Sequence, residues 1–145
     1  MKMTGLCFID TNILVYAHDG RERRKQRIAV QLVEDLAEKH SAVISSQVIQ
    51  EFCNVILKPD IGLSQSVILE ALRHVFYPML RHTPNFDFYE RVLELLEGEQ
   101  LGFYDALIVQ AAIDLGCKTL YSEDLQAGRN YQGVTVEDPF LSITL

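Results

Sequence analysis

The sequence predicts an α/β fold, a single three-layer α/β/α domain over residues 1–145 with a central parallel sheet. Three observations predict it. Short apolar runs alternate along the chain with longer stretches of helical periodicity. The first of these runs ends in an acid, the pattern of a buried parallel strand whose carboxyl edge delivers a side chain to a cleft. A length of 145 residues, 48% of them apolar, suits one domain with a substantial core.

Residues 6–9 form the first strand, and Asp10 follows it. Thr11 or Asn12 can cap a helix through about His18. From Arg23 to Glu38, Ile28, Ala29, Leu32, Val33, Leu36 and Ala37 recur at helical spacing, which predicts an amphipathic helix. Residues 42–44 read as a second strand. Ser45 or Ser46 can cap a helix over 47–57, which Lys58-Pro59 and the turn at Asp60-Ile61-Gly62 end. Ser64 can cap the next helix, through about Phe76, before Pro78 breaks the pattern. Residues 79–82 are short enough for a third strand. Residues 85–97 read as a helix closed by Gly98. Residues 103–115 are apolar on nearly every face, as in a central buried helix, and Gly116 ends it. Strands over 118–121 and 134–136 complete the sheet, with ligands expected at its carboxyl edge where strand order reverses.

The formal charge of −7 argues against a protein that wraps nucleic acid by bulk electrostatics. It leaves a nuclease open, since two bound divalent cations would bring it to about −3. Cys7, Cys53 and Cys117 are odd in number and far apart, so they read as small core residues of a reduced protein. Lys2 precedes an apolar run too brief for a signal peptide, and no segment approaches membrane-spanning length. A cytoplasmic protein with no membrane partner is expected.

Four stretches each set a carboxylate beside a hydrophobic element: Phe8-Ile9-Asp10-Thr11-Asn12, Val48-Ile49-Gln50-Glu51-Phe52, Phe103-Tyr104-Asp105-Ala106-Leu107 and Tyr121-Ser122-Glu123-Asp124-Leu125. An acid among apolar residues loses hydration unless something replaces its water. A hard cation such as Mg²⁺ or Mn²⁺ does so with oxygen ligands while keeping waters and phosphates, which suits phosphodiester hydrolysis. Singly, each acid has a local explanation: Asp10 as a cap, Glu51 as a solvated helix position, Asp105 in a favourable first turn, Asp124 at a turn. Jointly, Asp10 and Asp124 follow strands, Asp105 opens a helix and Glu51 lies about one turn inside another. Four independent caps have no reason to converge on one sheet edge.

These stretches carry a resemblance to the PIN-domain nucleases, and within them to the ribonuclease toxins of bacterial and archaeal toxin–antitoxin pairs, the VapC type. Phe8-Ile9-Asp10-Thr11-Asn12-Ile13-Leu14 resembles the family's first motif and Ser45-Ser46-Gln47-Val48-Ile49-Gln50-Glu51-Phe52 its second. Tyr104-Asp105-Ala106-Leu107-Ile108-Val109-Gln110-Ala111-Ala112 resembles the third, and Leu120-Tyr121-Ser122-Glu123-Asp124-Leu125-Gln126 the fourth. The resemblance implies a PIN-like fold, a Mg²⁺- or Mn²⁺-dependent endoribonuclease, and Asp10, Glu51, Asp105 and Asp124 as metal-binding, catalytic acids. It also implies an RNA substrate, a homodimer and a cognate antitoxin. Ser122 stands where many members have Thr, keeping the hydroxyl. Asn12 matches a polar residue near the metal, although capping explains it equally well. Glu123 is an adjacent carboxylate held in reserve behind Asp124.

Arg21, Arg23, Arg24, Lys25 and Arg27 form the one basic run, either a solvated helix face or a set of RNA phosphate contacts. Cations at a helix N-terminus oppose its dipole, which favours the second reading locally. An exposed Tyr104 can stack on a base. The four histidines lack metal-ligand spacing. Phe76, Met79, Phe86 and Phe88 crowd one region and suggest an apolar surface for a partner. Two rivals remain. A phosphatase using Asp10 as nucleophile wants a second Asp where this chain has Asn12. A housekeeping PIN nuclease, or a non-catalytic metal- or RNA-binding module, would carry the same fold.

Overall fold

Strand β1 (Cys7–Ile9) is where the rest of the sheet meets. It pairs in parallel with β2 (Ala42–Ser45) on one side and with β4 (Thr119–Tyr121) on the other. Phe8, Ile9, Ile44 and Leu120 are wholly buried, so these strands read as continuous apolar runs because both sheet faces are covered. The computed structural model describes residues 5–141, and Lys2, part of the run weighed against a signal peptide, lies outside them. Among the described residues no helix is long and apolar enough to cross a membrane.

The full order is β3-β2-β1-β4-β6-β5, with β3 (Leu80–His82) and β6 (Val134–Glu137) parallel to their neighbours. The chain moves outward from β1 through β2 to β3, then crosses back to place β4 on the other side of β1. Strand order therefore reverses between β1 and β4, and the crevice beyond their carboxyl ends is the position such a sheet offers a ligand. A strand absent from the expectation, β5 (Asn130–Tyr131), runs antiparallel to β6. Its two-residue link, Gln132 and Gly133, has φ of 51° and 98°, the left-handed pair of a tight hairpin turn.

Helix α1 (Thr11–His18) starts one residue earlier than expected, because its cap is Asp10 and not Thr11 or Asn12. The Asp10 backbone is extended and its Oδ1 accepts from Thr11 N at 2.7 Å. Helix α2 (Arg23–Glu38) buries Ala29, Val33 and Leu36, and α3 (Ser46–Ile56) buries Val48, Phe52 and Ile56, each a stripe at helical spacing. Ser45 holds the cap position of α3 without a side-chain capping bond. Ser64 does cap α4 (Gln65–Ala71), accepting from Val67 N. The helical run continues without a break through a π-helical turn, Leu72–Phe76, and ends in α5 (Tyr77–Met79), where Pro78 has no N–H to extend the ladder. Met79 thus closes a helix, and the third strand begins at Leu80. Asn85 caps α6 (Phe86–Gly98), and α7 (Phe103–Asp114) buries every residue from 106 to 112. Helix α1 packs on α2 and α3, and α6 on α7.

The apolar crowd expected as a partner surface is mostly core. Phe76, Met79 and Phe88 are buried, and Phe52 and Phe76 meet in a tilted contact with ring centres 4.4 Å apart. Phe86 alone of the four is exposed. All three cysteines are free, with Cys7 and Cys117 buried.

Phe8→Ala, at the centre of the sheet, is expected to lower stability by about 3–5 kcal/mol through lost burial and an unfilled cavity. The urea midpoint measures it, and a loss below about 1 kcal/mol would contradict the packing described.

Candidate active site at the carboxyl ends of β1 and β4

Asp10 leaves β1 at the point where its backbone N–H donates to the Tyr121 carbonyl at 2.9 Å, tying the ends of β1 and β4 together. Its carboxylate is buried. Oδ1 accepts from Thr11 N, and Oδ2 accepts from Ser122 Oγ at 2.7 Å. Burial is the largest influence and pushes the Asp10 pKa up to about 7; the two hydrogen bonds oppose this, and Glu51 and Asp124 add to it.

Ser122 is wholly buried, and its hydroxyl is fully used. It donates to Asp10 and accepts from Asp124 N at 3.2 Å and Leu125 N at 3.3 Å, which folds the turn that carries Asp124. Glu51 is half-buried on α3. Thr11 Oγ1 donates to its Oε1 at 2.7 Å and Gln47 Nε2 to its Oε2 at 3.0 Å. Gln47 Nε2 also reaches the Tyr104 carbonyl at 3.2 Å, linking α3 to the first turn of α7. Asp105 sits in that turn, half-buried. Burial raises its pKa, followed by the charges of Asp124 and Glu51, and no hydrogen bond offsets the rise.

The four acids therefore repel one another. Glu51 and Asp124 act on both Asp10 and Asp105, although the four come from four separate elements. Among the described residues no group of three or more His, Cys, Asp or Glu side chains closes tightly enough to enclose an ion alone. That spread, with Asp10 and Asp105 raised by burial and by the charges of Glu51 and Asp124, fits a hydrated hard cation that takes one or two carboxylates and keeps its waters. A cleft of about 560 Å³ runs past the group, with Glu51 and Asp124 on its wall beside Asn12, Tyr16 and Arg21.

Asn12 acts as a brace. Its Oδ1 accepts from Glu123 N at 3.3 Å, while its Nδ2 is buried without a partner. Glu123 is already engaged, by an ion pair with Lys25 and by Tyr16 Oη at 2.8 Å, which leaves Asp124 as the exposed carboxylate of the turn. Of the basic run, three members are held internally. Arg21 binds Asp19 and Asp60, Arg24 donates to the Phe140 carbonyl, and Lys25 pairs with Glu123. Arg23 and Arg27 are exposed, with no ion pair among the described residues. Tyr104 is 67% exposed, as stacking requires. Sequence reasoning missed Thr11 and Gln47 as orienters of Glu51; the i, i+4 spacing of Gln47 and Glu51 was the available signal.

Residues 7–131 match the PIN domain. The chain belongs to the PIN-domain family. Solved structures of similar fold include a toxin–antitoxin complex from Klebsiella pneumoniae, 22% identical over 92% of this PIN domain chain and 98% of that one, with a TM-score of 0.65. VapBC2 from Rickettsia felis, bound to a DNA fragment from its promoter, is 21% identical over 91% and 97%, with a TM-score of 0.63. Mycobacterium tuberculosis VapC20, a sarcin-ricin loop cleaving toxin, is 16% identical over 81% and 91%, with a TM-score of 0.58. No curated protein matches this PIN domain chain in sequence.

The raised acids set the stability of the ion-free protein. The Asp10 carboxyl titrates near 7 when folded and near 3.8 when unfolded, so between those values the folded chain holds a proton that the unfolded chain has released. Stability is expected to fall as pH rises from about 4 to about 7, by on the order of 4 kcal/mol, and then to level off. Melts in chelator across this range measure it, and Asp10→Asn should flatten the curve. Asp105→Asn, which removes a repelling charge and no hydrogen bond, should raise the ion-free melting temperature at pH 8 by about 2–4 °C. Mn²⁺ should stabilise the wild type more than this variant. An unchanged melt in both respects would separate Asp105 from the group.

Proposed function

We propose that this chain is a Mg²⁺- or Mn²⁺-dependent endoribonuclease, the toxin of a toxin–antitoxin pair, acting as a single nuclease domain over residues 1–145. The observation that carries this reading is the mutual repulsion of Asp10, Glu51, Asp105 and Asp124 at the switch point of a PIN fold. The names of its structural neighbours support the toxin assignment. In this reading the four acids would hold the cation. A divalent ion bound there supplies Lewis acidity, lowering the pKa of a water and offsetting charge on phosphoryl oxygens.

The chain's own residues prepare that chemistry. Ser122 and Thr11 N fix both oxygens of Asp10, so its carboxylate cannot rotate away. Thr11 Oγ1 and Gln47 orient Glu51 in the same way. Asp105 and Asp124 have no such restraints among the described residues and can adjust to a ligand, while Tyr104 offers a face to an unstacked base and Arg23 and Arg27 offer charge to phosphates. None of these roles requires a protein nucleophile. The separated, free cysteines favour a cytoplasmic setting, and the resemblance favours a cognate antitoxin and a homodimer. Analytical ultracentrifugation and native purification test the last two, and a small adjacent gene for a DNA-binding protein distinguishes a toxin from a housekeeping nuclease.

Structured RNA incubated with chelated protein should remain intact and be cut when Mg²⁺ or Mn²⁺ is restored. Asp10→Asn, Glu51→Gln and Asp105→Asn should each reduce cutting to the level of the protein-free control while leaving the circular dichroism unchanged. Ser122→Ala, which frees Asp10, should cost about 10–100-fold. Glu97→Gln, an exposed position on α6, is the control. Undiminished cutting in chelator, or full activity in Asp105→Asn, would reject the assignment.

A further inference from the structure

Lys25 belongs to the basic run, yet its charge is committed inside the molecule. Its Nζ pairs with Glu123 and lies 3.4 Å from Tyr16 Oη. It sits 4.8 Å from the centre of the Tyr16 ring and 5.4 Å from that of Phe140, within the range at which an ammonium is attracted to an aromatic face. The two rings meet edge to face with centres 5.1 Å apart. Tyr16 Oη donates to Glu123 Oε1, and the Lys25 ammonium pairs with Oε2, so both carboxylate oxygens are occupied. One residue before Lys25, Arg24 donates to the Phe140 carbonyl at 2.9 Å and steadies the ring that backs the ammonium.

Glu123 directly precedes Asp124. Glu51, Glu123 and Asp124 all line the same cleft, so an unpaired Glu123 would compete for any cation drawn there. The turn is held at Ser122 by its hydroxyl, at Glu123 N by Asn12, and at the Glu123 side chain by Lys25 and Tyr16. Only the last of these restraints reaches across to α2.

We propose that Lys25 is a positioning residue of this site: its clasp on Glu123, backed by the Tyr16 and Phe140 rings, keeps that carboxylate out of the cation's ligand set. The kinetic consequence rests on the endoribonuclease reading, whereas the ligand-set consequence rests on cation binding alone. Charge is the operative property, since a lysine reaching for RNA phosphate would act through substrate affinity.

Calorimetric titration of the full chain with Mn²⁺, beside RNA-cleavage kinetics, tests this. Glu123→Gln should bind Mn²⁺ with wild-type affinity; a loss of affinity would make Glu123 a ligand and overturn the proposal. Lys25→Met should tighten Mn²⁺ binding by releasing Glu123, lower kcat about 10-fold or more, and leave KM for RNA unchanged. Adding Glu123→Gln to Lys25→Met should return Mn²⁺ affinity to the wild-type value. A raised KM with wild-type kcat and Mn²⁺ binding would make Lys25 an RNA contact instead. If Lys25→Met does not fold, the Glu123→Gln titration still decides the ligand question. A wild type that binds Mn²⁺ but cuts no RNA would reject the nuclease reading and leave the Mn²⁺ measurements to judge the clasp.

Discussion

The hydrogen bond from Ser122 to Asp10 is the contact on which the site depends. It joins the residue after β1 to the residue after β4, two positions 112 apart in sequence that become neighbours only because those strands pair in parallel. Parallel pairing brings both carboxyl ends to one edge, and reversal of strand order keeps the crevice between them free of a covering connection. The same hydroxyl accepts two backbone N–H groups of the following turn. One side chain thereby couples the deepest acid to the most exposed one. A buried carboxylate with two good donors is tolerable in a core made of Phe8, Ile9 and Leu120; the same carboxylate without them would carry a heavy desolvation cost.

The acids differ in freedom as well as in burial. Asp10 and Glu51 are each held at both oxygens, whereas Asp105 has charge neighbours and, among the described residues, no hydrogen-bond partner. A fixed pair beside adjustable groups lets a site bind a cation with defined geometry and still accommodate a phosphate as its charge redistributes. The fixed pair sits at the α1 cap and inside α3, and the adjustable pair on a turn and in the first turn of α7, so the difference comes from hydrogen bonding and not from the kind of element.

Much of this was legible in the sequence because it is periodic or punctuated. The apolar runs mark the parallel strands, Ser64 marks a helix start that uses its side chain, and the stretch 103–115, apolar on nearly every face, marks the central helix. The four acids could be named because Asp10 and Asp124 follow strands, Asp105 opens a helix and Glu51 lies about one turn inside another. Other features left no such trace. The cap of α1 was misplaced by one residue because Asp10, Thr11 and Asn12 all favour the position, and only the backbone angle chooses among them. β5 is two residues long and its Gln-Gly turn lacks the usual Asn-Gly signature. The apolar crowd at Phe76, Met79 and Phe88 reads as surplus because a π-helical turn over Leu72–Phe76 is invisible to 3.6-residue periodicity, and because the packing that buries Phe88 of α6 is tertiary. Long-range commitments such as Lys25 to Glu123 depend on tertiary placement and have no local sequence mark.

The two borders of the sheet share one property. At one border lies a two-residue strand, and at the other a three-residue strand whose middle residue, Arg81, is exposed. Each offers few unpaired backbone groups, and one of them carries a charge that a neighbouring strand would have to desolvate. Lateral growth of the sheet from chain to chain is therefore discouraged at both ends. A chain built this way offers a neighbouring copy little edge on which to extend the sheet.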